Sequence, residues 1–95
     1  MTILVLARQA QTDLRDIADY IARDNPDRAV SFVDELLAAM ELIRERPTSF
    51  RLRSEWRANL RSSVYHGYQI IFQISGNRVE IARVLHGSRD IPSQL

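Results

Sequence analysis

Apolar residues recur along this chain in two rhythms, and the change of rhythm divides it. Ile3 to Leu6 is a short apolar run that reads as one strand. Leu14, Ile17, Ala18 and Ile21 then recur at helical spacing, with Ala10 one turn earlier and Ala22 beside them. This predicts a first helix from about Arg8 to about Asp24, with Asp13, Arg15, Asp16, Asp19 and Arg23 on its outer face. Asn25-Pro26 breaks the pattern. Asn25 can cap a second helix, Pro26 suits its first turn, and Asp27 meets the positive end of its dipole. Ala29, Phe32, Val33, Leu36, Leu37, Met40 and Ile43 form that helix's apolar stripe, and Pro47 ends it. So short a connection between two amphipathic helices implies an antiparallel hairpin.

After residues 47–59, which lack periodicity and read as a loop anchored by Phe50 and Trp56, the rhythm changes to two. Strand signals cover Leu60 to Tyr65, Tyr68 to Ile74 and Val79 to Leu85. His66-Gly67 and Ser75-Gly76-Asn77 are short turns, so these strands should form an antiparallel meander. In the last strand strict alternation places Val79, Ile81, Arg83 and Leu85 on one face. The expected architecture is α+β. An N-terminal strand, a helical hairpin and a three-stranded antiparallel meander form one sheet, with helices covering one face.

The 95 residues contain no cysteine and make one domain, 1–95, large enough for a core without metal or disulfide staples. No apolar run approaches a membrane span, and the N-terminus lacks a basic leader and cleavage site. Together these favour a cytoplasmic protein. The net charge of +1 hides a division. Residues 1–43 carry four arginines against eight acids; residues 44–95 carry nine against four. Every basic residue is arginine, whose planar fork suits anions and whose high pKa suits general-base work poorly. A codon bias accounts for the missing lysine but not for the cluster Arg44, Arg46, Arg51, Arg53, Arg57 and Arg61.

The strongest candidate chemistry lies at the last strand's end, His86-Gly87-Ser88-Arg89-Asp90. Histidine is the side chain whose ordinary pKa lies nearest neutrality, so His86 can serve as acid or base, or simply bond to backbone or to Asp90. Arg83, on an apolar face, needs either an open groove or a carboxylate, and Asp90 is the candidate. Tyr20, Tyr65 and Tyr68 read as half-buried packing residues.

Taken in order, Ala10, Asp13-Leu14, Ile17, Tyr20-Ile21, Asn25-Pro26, Ala29, Phe32, Leu36, Pro47, Arg61, Tyr65, Tyr68, Ile71-Phe72 and the Arg83-to-Asp90 ending resemble the ParE-type toxins of the RelE/ParE superfamily. These are toxin subunits of type II toxin–antitoxin modules. The superfamily joins gyrase-targeting toxins to ribosome-dependent messenger-RNA interferases, and the chain looks like the gyrase-targeting, plasmid-stabilisation branch. The resemblance implies a cytoplasmic toxin that inhibits DNA gyrase and is neutralised in a hetero-oligomer by a cognate ribbon-helix-helix antitoxin. It implies no cofactor, metal or membrane. Target contacts would fall to Arg57, Arg61, Arg83, His86 and Arg89, gathered as an electropositive surface at the C-terminal ends of the meander. Antitoxin contacts would fall to the hairpin residues Leu14, Ile17, Ile21, Phe32 and Leu36 and to a sheet edge.

Two alternatives stand beside this reading. One is a domain with lost toxicity that only binds its antitoxin. The other is a ribonuclease, with Arg61, Arg83, His86 and Arg89 as its candidates. Phosphodiester cleavage needs a proton acceptor, a proton donor and positive charge at the phosphate. The nuclease branch resembles a set of lysines near the first meander strand, an arginine after the tyrosine opening the middle strand, an arginine after the glycine, and a terminal tyrosine or histidine. Only Arg89 matches. Gln69 follows Tyr68, lysine is absent, and the chain ends Pro92-Ser93-Gln94-Leu95. The expectation is therefore a toxin that is not an enzyme.

Overall fold

Two long helices and one mixed sheet realise the two rhythms. The computed structural model of the chain describes residues 1–87 and 90–95. Strand β1 (Ile3–Leu6) leads directly into α1 (Arg8–Ala22), and α2 (Pro26–Glu45) packs back against it. The Asn25 side chain accepts a hydrogen bond from the Arg28 N–H at 3.0 Å, a cap that stabilises a helix by about 1 kcal/mol. A 3₁₀ turn at Pro47–Ser49 follows, then β2 (Arg51–Leu52), β3 (Leu60–Tyr65), β4 (Tyr68–Ser75), β5 (Arg78–His86) and the short α3 (Ile91–Gln94).

The sheet runs β1-β5-β4-β3-β2. It is a five-stranded mixed sheet rather than a three-stranded antiparallel meander with a further strand attached. β3, β4 and β5 pair antiparallel, whereas β1 pairs parallel with β5, Leu6 facing Ile81. The chain between them supplies the long connection that parallel pairing needs. β2 lies within the stretch read as an unstructured loop. Two residues carry no periodicity, so only its pairing with Arg61 and Ser62 reveals it.

A β-bulge corrects the expected facing of β5. Phe72 pairs with Ile81 and Ile71 with Arg83, leaving Ala82 opposite neither. The extra residue inverts the alternation. Val79, Ile81 and Val84 join the core under the helices, while Leu85 turns to the other side. Arg83 therefore does not share the apolar face of Val79 and Ile81.

The main core lies between the hairpin and the sheet. Phe32, Leu36, Met40 and Ile43 of α2 meet Ile70, Phe72, Val79 and Ile81, with Ala10 and Ile17 of α1 beside them. Each large side chain buried there contributes roughly 1.5–3 kcal/mol. The opposite sheet face is not bare, as one-sided helical covering would leave it. Leu60, Ile71 and Leu85 are roofed by Ile91 of α3, by Leu95 just after it and by Trp56 from the β2–β3 connection.

Candidate functional site

Three regions gather the chain's chemistry, and the first is an ion pair at the edge of β5. β1 stops opposite Ile81, and α1 swings away after the Ala7 N–H donates to the Ile81 carbonyl at 2.9 Å. Among the described residues, the next stretch of the β5 edge has no strand neighbour. Asp13 fills the place: its carboxylate accepts the Val84 N–H at 2.9 Å and the Arg83 Nε and Nη2 at 2.8 and 2.9 Å. The side chains of Asp13 and Arg83 are only 9% and 18% exposed. The Arg83 Nη1 also donates to the Gln94 carbonyl, so one guanidinium ties β5 to α1 and α3. The bond to Asp13 holds Arg83 above its ordinary pKa against the opposing effect of burial. The carboxylate partner of Arg83 is thus Asp13 and not Asp90. Asp13 belongs to the buried side of α1 rather than its outer face. The signal was present, since Asp13 sits one turn before Ile17 and adjoins Leu14 on the apolar stripe.

The second region is the end of the sheet where β3 turns into β4. His66 and Gly67 both adopt left-handed conformations, at φ 46° and 82°, as a tight type I′ hairpin turn requires. Tyr65 and Tyr68 pair across this turn, and Tyr68 pairs with His86 on β5. The two histidines, separated in sequence at different strand ends, therefore share one end of the sheet. The His66 ring lies 4.5 Å from that of Tyr65, and the His86 ring meets Tyr68 edge-on at 5.2 Å. Phe32 packs against Tyr65 and Tyr68 from α2. Tyr65 donates its hydroxyl to Glu35, which also accepts from Arg28 at 2.5 Å. The bonds from Arg28 and then Tyr65 pull the Glu35 carboxyl down to about 2. Glu35 pushes Tyr65 upward in turn. Arg28 and Glu35 lie two turns apart on α2, and only the packing of α2 against β3 brings Tyr65 to them.

Beside this end lies an open groove of about 740 Å³. Ile17, Val84 and Leu85 line it with Asp16 and Asp19 of α1, Tyr20, Tyr68 and His86. Tyr20 is 66% exposed there, not half-buried as its spacing suggested. On the other sheet face, Gln69 stands where the nuclease pattern needs an arginine. Its Oε1 is buried and has no hydrogen-bond partner among the described residues.

Among the described residues, the candidates Arg57, Arg61, Arg83 and His86 do not gather at one end of the sheet. Arg57 is exposed in the connection before β3, and Arg61 is the second residue of that strand. His86 lies level with Tyr65 at the strand's far end, roughly 13 Å further along at the usual strand rise. Arg61 shares its face with Phe72 and donates to the Phe50 carbonyl at 2.8 Å, so it binds its own chain. Arg83 is held by Asp13. Ser88 and Arg89 lie outside the described residues. Among the described residues no three His, Asp or Glu side chains are grouped so that they could hold a metal.

The third region is the outer side of the hairpin. The five hairpin residues expected to meet a partner face the protein's own core. Ile17, Phe32 and Leu36 are buried, and Leu14 and Ile21 pack against the same core. The apolar stripe that defines an amphipathic helix is the one its own sheet covers. What the hairpin presents outward is Val30 and Leu42, both more than half exposed, and Leu37 at 40%. A shallow groove of about 380 Å³ runs between the helices, lined by Ala18, Ala22, Val30 and Val33.

Comparison with known proteins agrees with this architecture. Residues 4–91 match the family described as the ParE toxin of the type II toxin–antitoxin system parDE. The toxin ParE1 of Caulobacter vibrioides is 36% identical over 91 residues, covering 95% of this chain and 94% of that protein. A solved structure described as the chromosomal ParDE toxin–antitoxin system from P. aeruginosa superposes with a TM-score of 0.79 at 20% identity. It covers 90% of this chain and 96% of that one, and at this identity it speaks for the fold. No helix among the described residues is long and apolar enough to cross a membrane.

Proposed function

The chain belongs to the ParE toxin family of type II toxin–antitoxin systems, and on that premise we propose that it inhibits DNA gyrase and is neutralised by a cognate antitoxin. The observation that carries this over the ribonuclease alternative is how the candidate phosphate ligands are engaged. Arg83 is committed to Asp13 and Arg61 to backbone carbonyls, and Gln69 replaces a cation. Phosphodiester cleavage needs positive charge free to meet the phosphate and a paired acid and base. Gyrase inhibition by binding needs neither.

For the antitoxin, a ribbon-helix-helix protein in a hetero-oligomer, the reading uses the outer hairpin. Val30 and Leu37 stand one and three turns along α2 from its start, and Val30 lines the small-residue groove with Ala18 and Ala22. An amphipathic partner helix laid there would bury these side chains. The uncharged edge of β1, Ile3 to Leu6, offers a second surface for strand addition.

The test is a supercoiling assay with purified DNA gyrase, run beside ribosomes programmed with message. Supercoiling should be inhibited, prior addition of the antitoxin should restore it, and no new cuts should appear in the ribosomal A site. Unimpaired supercoiling together with A-site cuts that vanish in His86→Ala would replace this reading with the nuclease one. Antitoxin binding with neither activity would leave only a binding domain.

A further inference from the structure

Apart from Arg61, the arginine cluster of the sequence has no part in gyrase inhibition as proposed above, and the fold gives it a distinct place. We propose that the corner between the end of α2 and the start of β3 binds the phosphate backbone of duplex DNA. Residues 44–61 hold six arginines against two glutamates. The fold brings them to one corner, because α2 ends at Glu45 and β2 pairs with β3 through Arg51 and Ser62.

The six divide into two groups. Arg44, Arg53 and Arg61 are engaged within the protein. Arg44 bonds Glu41 at 2.8 Å. Arg53 stacks over the Trp56 ring at 3.8 Å, bonds Glu55 at 2.8 Å and reaches the Ser62 hydroxyl at 3.1 Å. Arg61 holds the Phe50 carbonyl. These contacts stiffen the corner. Arg46, Arg51 and Arg57 are exposed on it, and among the described residues only Arg51 of the three has an ion pair within 4.0 Å, with Glu55.

The chemistry of the corner selects its ligand. Neither groove reaches it, since both are lined by residues of the hairpin and the far sheet end. A docked protein segment draws its affinity from side chains seated in pockets. A nucleic-acid backbone needs only guanidinium forks held at fixed points. Asp19, Asp24 and Asp27 belong to the hairpin's other end. The resulting charge separation would orient the molecule with its arginines toward a polyanion. The inference goes beyond gyrase inhibition and does not depend on it.

Fluorescence anisotropy with the full-length chain and a labelled duplex of arbitrary sequence, with no gyrase or antitoxin present, tests it. If the three exposed arginines each neutralise one phosphate, tripling the salt concentration should weaken binding by about 20-fold. Combined Arg46→Gln, Arg51→Gln and Arg57→Gln should remove most of that salt dependence while the thermal melt stays put. The corresponding Arg→Lys variant should retain binding, since lysine also meets phosphate as a point charge. Salt-independent binding would overturn the proposal, as would an unaffected triple glutamine variant. So would equal or tighter binding of a poly-glutamate peptide or of single-stranded RNA. If the glutamine variant unfolds, the wild-type salt slope and the lysine variant decide the matter.

Discussion

Removing the Asp13 carboxylate is the most informative single perturbation of this fold. Asp13→Ala leaves Arg83 without its anion at a position where its side chain is only 18% exposed. It also leaves the buried Val84 N–H without its acceptor. Breaking one side of a buried pair costs about 3–5 kcal/mol, and an orphaned buried donor alone costs about 1–3 kcal/mol. These terms overlap, so a total loss of about 3–5 kcal/mol is expected, a large share of a small domain's stability of roughly 5–15 kcal/mol. Urea denaturation followed by circular dichroism measures it. Arg83→Met and the double variant complete a cycle, because the double variant no longer buries an unpaired guanidinium. The coupling between the two sites should reach about 2 kcal/mol. A loss below about 1 kcal/mol for Asp13→Ala, or single effects that add within about 0.5 kcal/mol, would refute the argument. Either result would mean that the pair is effectively solvated and does not hold α1 and α3 to the sheet.

Three further outcomes follow from the same geometry. Glu35 titrates at about 2 in the folded chain against 4.5 ordinarily, so the folded state binds fewer protons between those values. Its contribution is present above about pH 4.5 and fades as pH falls toward 2; Glu35→Gln should flatten the acid limb of a stability–pH profile, and an unchanged limb would count against the Arg28–Glu35–Tyr65 network. Val30→Asp with Leu37→Asp should shift stability by no more than about 0.5 kcal/mol per site yet reduce recovery of the co-expressed antitoxin in a pull-down. Undiminished recovery would move the antitoxin to the β1 edge or elsewhere. Gly67→Ala places a Cβ on a residue at φ 82°, with the His86 Nε2 3.5 Å away, and should cost about 1–2 kcal/mol in a chemical melt.

The sequence determined by itself whatever depends on near neighbours along the chain. The period of the apolar residues located α1 and α2, Asn25-Pro26 set the start of the second helix, and His66-Gly67 placed the tight turn. These follow from backbone sterics and from burying one stripe per helix, so the pattern alone suffices. The ordered set of residues likewise carried the family, which spans nearly the whole chain. The tertiary structure decided what depends on register and on partners far apart. One extra residue at Ala82 sent Arg83 and Leu85 to the face opposite Ile81, because strand facing has a period of two and a single insertion inverts it. Asp13 met Arg83 across 70 positions because β1 ends early and leaves the β5 edge open. Glu35 met Tyr65 across 30 positions through hairpin packing. The apolar stripe that looked like a binding surface became core for the same reason it was legible: the sheet is the first partner of an amphipathic helix, and only the residues left outside it remain for a second.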